Sequence, residues 1–140
     1  MAVEEATIRQ GTYKAVYDVI DANMLGGWTV LSSYPENNPT FPCVVIEQAD
    51  NEPDYLTIDG TCRDNSMMVD IGIYSLARNG KEQHDEGRDK VADILNDALS
   101  TFKDTHGIVL QMIEDGTTST FIETNQKIHF GNIIARFKLV

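Results

Sequence analysis

Three histidines, two cysteines, an acidic run and a few serines are the residues of this 140-residue chain with chemistry to offer. Imidazole titrates near neutral pH and is the usual proton shuttle of a catalytic site. His84 opens a helical pattern, His106 ends it and His129 lies in a strand pattern; none stands beside a nucleophile in the chain. Asp85 follows His84 and would orient its ring if the two side chains met, but adjacent helical residues point about 100° apart. His84 therefore reads as a solvated helix start, and His106 as a group favoured by the negative end of the helix dipole. Ser32, Ser33 and Ser75 have no histidine or lysine as neighbours, and a triad assembled only in space is left open.

The run Asp50-Asn51-Glu52-Pro53-Asp54 brings oxygens close together, as hard cations require. A calcium loop also needs glycine at its sixth position and glutamate at its twelfth, where Tyr55 and Thr61 stand. A metal-free acidic turn is the better reading. Cys43 and Cys62 lie nineteen positions apart with no CxxC spacing and no nearby histidine, so they read as reduced structural thiols. Gly26-Gly27 and Gly60 come with neither a Walker lysine nor a GxGxxG pattern to cradle phosphate. The sequence thus offers no catalytic residue, no cofactor and no metal site, and the expectation is a protein that is not an enzyme.

Charge narrows the partners. Formal net charge is -11, and the acids cluster: Glu47, Asp50, Glu52, Asp54, Asp59 and Asp64 face only Arg63 between residues 47 and 64. From Lys127 onward the balance reverses, with Arg136 and Lys138 and no acid. An acidic surface repels phosphate, so the counterion release that drives nucleic-acid binding is missing over most of the molecule. No run approaches the roughly 20 apolar residues that span a bilayer, and Met-Ala-Val-Glu-Glu lacks the basic start of a signal peptide. The expectation is a chain made in a cytoplasm, soluble there and free of membrane.

The elements that must position these residues follow from periodicity. Thr12, Val16, Val19, Ile20 and Met24 recur at helical spacing, which predicts a helix over about 6–24 stopped by Gly26-Gly27. Trp28 to Ser33 alternates as a first strand, and a loop rich in proline and asparagine fills 34–42. Cys43-Val44-Val45-Ile46 predicts a short buried strand ending in the acidic turn 50–54, with a brief edge strand over Tyr55–Asp59. A strand from about Met67 to Ala77 precedes a helix over about 82–104, whose apolar stripe is Val91, Ile94, Leu95, Ala98, Leu99 and Phe102. Ile108–Ile113 reads as a strand and Glu114–Ser119 as a loop. In the closing strand Ile128 and Phe130 have one parity and Ile133, Ala135, Phe137 and Leu139 the other, so one apolar face requires a bulge at Gly131-Asn132. The expected fold is a single α+β domain over 1–140, a mainly antiparallel, mixed sheet with two helices on one face.

In this order, the 6–24 helix ending in Gly-Gly-Trp, the loop from Tyr34-Pro35-Glu36 to Pro39-Thr40-Phe41-Pro42 leading into Val44-Val45-Ile46, and Val69–Ser75 leading through Lys81 into the long helix resemble the tail terminator and tail completion proteins of long-tailed bacteriophages. The resemblance covers most of the chain and rests on segment order and size. It implies a structural virion protein at the tail–head junction, a neck ring commonly of six copies. Such a homohexamer caps the tail tube and offers a docking surface to head-side neck or connector proteins, and DNA passes through without specific binding.

Within that frame Asp50, Glu52 and Asp54 are candidates for an acidic lumen or, equally, for an exterior that keeps the protein soluble. Tyr34 and Phe41 suit a subunit or tube contact, or a loop folded back over the core. Arg78 and Lys81 either bridge to a neighbour's acids or pair with Glu82 and Asp85 of their own helix. Two other functions fit the same composition: a head-completion or connector adaptor protein, and, from a different class, a small ligand-binding or enzymatic α+β domain with its pocket between sheet and helices.

Overall fold

The computed structural model describes residues 5–32, 41–55, 63–123 and 125–139; of these, 5–9, 47–55, 63–66, 117, 123 and 139 are described by backbone alone. Helix α1 spans Glu5–Asn23 and strand β1 Thr29–Leu31. Strands β2 (Cys43–Tyr55) and β3 (Arg63–Leu76) follow, and a 3-10 turn at Ala77–Asn79 leads into α2 (Lys81–Asp97). Helix α3 (Leu99–His106), β4 (Ile108–Glu123) and β5 (Gln126–Leu139) complete the chain. The five described strands form one sheet in the order β1-β2-β3-β5-β4, with β1 parallel to β2 and every other pair antiparallel. This is a mixed, mainly antiparallel α+β domain, with three helices rather than two.

Strand alternation builds the core on both faces of the sheet. Val44 and Ile46 of β2, Met67, Val69, Ile71 and Ile73 of β3, and Ile133, Ala135 and Phe137 of β5 meet Ala15, Val16 and Ile20 of α1 and Val91, Ile94, Leu95 and Phe102 from α2 and α3. Fully burying each such side chain contributes about 1.5–3 kcal/mol, so this layer holds the helices in place. Phe102 and Phe137 meet edge to face at 5.1 Å. The Thr12 hydroxyl, buried in α1, donates to the Met67 sulfur at 3.1 Å. Tyr13 and Tyr17 donate to the Ser32 and Val30 carbonyls, tying α1 to β1 and the residue after it.

The opposite face carries a second cluster of Cys43, Val45, Tyr74, Leu76 and Ile128, packed by Leu31, Phe41, Phe121 and Phe130. Its existence overturns the bulge expected at Gly131-Asn132. β5 pairs with β3 without interruption from Ser66↔Lys138 to Leu76↔Ile128. Ile128 and Phe130 therefore serve the second face, while Ile133, Ala135 and Phe137 serve the helical face. Both parities are apolar because both faces are covered there. The irregularities among the described pairs lie instead in β4, between Leu110 and Met112 and between Asp115 and Thr118, and in β2, between Ile46 and Gln48.

Other expectations change in the same way. Residues 50–54 continue β2 rather than turn, pairing with Asp64–Met68 of β3. Among the described residues β1 pairs with β2 only at Cys43–Val45. Tyr55 ends β2, and the remainder of the predicted edge strand, 56–59, lies outside the described residues. Residues 114–119 belong to β4, where Gly116 sits at the bulge against Asn132, so closely that a Cβ would overlap its carboxamide. The helix predicted over 82–104 divides at Ala98 (φ -97°, ψ 13°), whose N–H turns back to the Leu95 carbonyl. The division leaves Leu99 47% exposed, outside the stripe to which it was assigned. Gly107, at φ +67°, closes α3 in the left-handed conformation that glycine adopts without penalty.

Candidate functional site

The first two turns of α2 lie over β5 and the bulged half of β4, and between them opens a cleft of about 360 Å³. α2 lines it with Lys81, His84, Asp85 and Arg88, three or four residues apart along one flank. The strands contribute Thr118, Ser119, Thr120, His129 and Phe130. Arg88 crosses to Asp115 of β4 at 2.7 Å, which pins the helix to the strand beside the cleft. His129 Nδ1 lies 3.1 Å from the Thr120 hydroxyl, a hydrogen bond across the β4–β5 pair.

His84 sits at the bottom, only 3% exposed, its ring centroid 6.3 Å from that of His129. Burial is the main cause that holds its pKa below the usual histidine range; Asp85 opposes this, and His129, Arg88 and Lys81 reinforce it. The native ring is thus biased toward its neutral form, with one N–H to donate and one nitrogen to accept. Neither ring nitrogen has a hydrogen-bond partner among the described residues. The other buried side-chain atoms so placed are Ser75 Oγ and Gln83 Oε1, both close in the fold: Ser75 pairs with His129 in the β3–β5 register, and Gln83 precedes His84.

The solvated helix start read for His84 is therefore wrong, and the signal that would have corrected it is positional. His84 and Gly87 extend the stripe of Val91, Ile94, Leu95, Ala98 and Phe102 toward the helix start. His129 shares the parity of Gly131, Ile133, Ala135 and Phe137. Both patterns point at the helix–sheet interface. No group of three or more histidine, cysteine, aspartate or glutamate side chains among the described residues is arranged to hold a metal ion. Cys43 is a free thiol buried in the second cluster, and burial pushes its pKa up to about 12, which suits an inert structural role. Cys62 and Tyr34 lie outside the described residues.

The remaining candidates are dispersed. Phe41 is half-buried against the second cluster, next to a cis Phe41–Pro42 peptide. Arg78 is exposed in the 3-10 turn and Lys81 is exposed at the start of α2, on the rim of the cleft. No ion pair among the described residues joins either to Glu82 or Asp85. Asp50, Glu52 and Asp54 occupy backbone positions opposite Met68, Ser66 and Asp64. That is the register parity of Asp70, Gly72 and Tyr74, the face away from the helices.

No protein-family model matches the chain, and no curated protein does. Among solved structures, the fold is similar to that of a chain in the virion of native gene transfer agent particle, with a TM-score of 0.54 and 14% identity. The match covers 91% of this chain and 92% of that chain. At this identity the likeness is one of fold.

Proposed function

We propose that this chain is a structural virion protein, a tail terminator that closes into a ring, caps the tail tube and joins it to the head-side neck. The observation that carries the reading is the fold likeness to a virion chain over nine-tenths of both chains. Segment order in the sequence, which resembles tail terminator and tail completion proteins, supports it independently. The ring is a homohexamer assembled in the host cytoplasm and located at the tail–head junction. It acts without catalysis.

The physical chemistry supports such a ring. Helices cover one face of the sheet, and away from the aromatic cluster the other face is partly solvent-accessible and polar: Asp70, Asn132 and Arg136 are half-buried there. Backbone positions 50, 52 and 54 share its parity. In a ring whose bore is lined by this face, the acids repel the DNA that passes and keep it from sticking. Arg78, Lys81 and Phe41 are the candidate contacts to a neighbouring copy or to the tube. Light scattering across protein concentration and salt tests the reading: a hexamer, or a ring that forms on tube ends, is expected, and a strict monomer in both settings overturns it.

A head-completion or connector adaptor protein satisfies the same observations, and cryo-electron microscopy of particles carrying a labelled copy separates the two by position. The cleft beside the buried His84 favours the third reading, a small ligand-binding or enzymatic α+β domain. A monomer that binds a small molecule there, with no effect of tube ends, is its signature.

A further inference from the structure

We propose that the cleft at the start of α2 is a binding site for a single carboxylate group. Nothing in the ring reading requires it. The inference begins from His84, 97% of whose surface is removed from solvent while both its ring nitrogens lack a partner among the described residues. A buried polar group left without a hydrogen bond costs about 1–3 kcal/mol. All four side-chain atoms of this kind among the described residues, on Ser75, Gln83 and His84, gather where α2 begins over β3 and β5. A polar ligand entering the cleft satisfies a ring nitrogen that the fold leaves bare.

The donors around His84 suit an oxyanion. Thr118, opposite Gly131, brings a hydroxyl from β4 on the face of His84, and Lys81 stands exposed on the rim. His129, whose Nδ1 engages Thr120, lines the cleft beside it. α2 begins at Gly80 without a side-chain cap, and Glu82 of its first turn is exposed and does not line the cleft. Charge then sets the class of anion. The groups facing His84 are Lys81, Asp85 and Arg88 of α2, Asp115 of β4 and His129 of β5. Lys81 and Arg88 balance Asp85 and Asp115, and Arg88 is committed to Asp115 at 2.7 Å. A cleft of balanced formal charge with one uncommitted lysine fits a monoanion; a phosphate dianion or a DNA backbone meets Asp85 without enough positive charge to offset it.

The carboxylate has two sources, a free small acid or an acidic side chain of a second copy; the second rests on the ring reading. Nitrogen-15 NMR of the histidine rings in the full chain distinguishes them. Acetate titrated against chloride at constant ionic strength is expected to shift the His84 resonances saturably, and Lys81→Met, an exposed change that leaves the fold intact, is expected to weaken that binding about tenfold. If the same shifts appear with rising protein concentration in the absence of acetate, and vanish in Lys81→Met, the carboxylate comes from a second copy. Rings of His84 and His129 that respond to neither acetate nor protein concentration overturn the site. So does a Lys81→Met chain that binds acetate as tightly as the parent, or a preference for phosphate dianion over acetate. A hexamer with silent histidines sinks the cleft alone, and a protein that stays monomeric even with tube ends present while its His84 responds to acetate sinks the ring alone.

Discussion

The His84 ring lies directly on the backbone of Gly131: a Cβ at position 131 would fall 2.7 Å from His84 Nε2 and 3.3 Å from a methyl of Thr118. Glycine at this point of β5 is what lets the helix carry an imidazole down to the sheet. Gly131→Ala is expected to destabilise the protein by about 1–3 kcal/mol, the usual cost of forcing atoms into a packed site. Gly11→Ala, in α1 with open space around the new methyl, is expected to add up to about 1 kcal/mol. Urea denaturation of both variants reads the two signs; a stabilised Gly131→Ala would mean that His84 is free to move aside.

The same burial makes stability depend on pH. In the unfolded chain His84 titrates near the ordinary value of about 6.5, whereas its native pKa is lowered, chiefly by desolvation. Above the unfolded value both states are neutral and the full contribution is present. As pH falls below about 6.5 the unfolded chain takes up a proton that the native chain resists, and stability declines until the native pKa is passed. For one proton the limiting slope is about 1.4 kcal/mol per pH unit. Denaturation midpoints measured from pH ~8 downward should show this loss in the parent and a shallower one in His84→Gln; parallel curves would remove His84 as the cause.

How much of this was legible in the sequence varies by element, for physical reasons. α1 and the stripe of α2 are readable because their buried residues recur at the helical period, and β3 from Met67 to Asp70 because its burial alternates there. Asp50–Asp54 and Glu114–Ser119 were misread because local turn chemistry was weighed without the strands they pair with; β3 and β5 override it. The parity change across Gly131 calls for a bulge only if one face of the sheet is covered, and a sheet packed on both faces removes the need for it. His84 was misjudged by residue type: its position on the stripe was informative, its polarity misleading. The cleft itself depends on His84 and His129 meeting across forty-five positions of chain, which no local pattern reports.

The divided helix gives a sharper test of its own stripe. Leu95 is fully buried, so Leu95→Ala is expected to cost about 2–5 kcal/mol. Asp93 is exposed and its replacement by alanine should cost under about 0.5 kcal/mol. Leu99 was assigned to the stripe by spacing, yet at 47% exposure Leu99→Ala should resemble Asp93 far more than Leu95. A Leu99→Ala loss as large as that of Leu95→Ala would show one unbroken helix through Ala98.

The functional reading is tested most directly through the acids of β2. Asp50, Glu52 and Asp54 share one parity along β2, that of the face away from the helices, so replacing all three with lysine leaves the described helical core untouched. The change moves the formal net charge from -11 by six units toward neutrality, concentrated on one stretch of backbone. If that stretch lines a ring, the variant keeps the parent's mass in light scattering and gains binding to duplex DNA that fades as salt rises, because each lysine near a phosphate releases counterions. Particles carrying it should then lose infectivity as DNA is held in transit. Rings of unchanged mass that ignore DNA at low salt would put these acids on the outer wall, where their role is solubility.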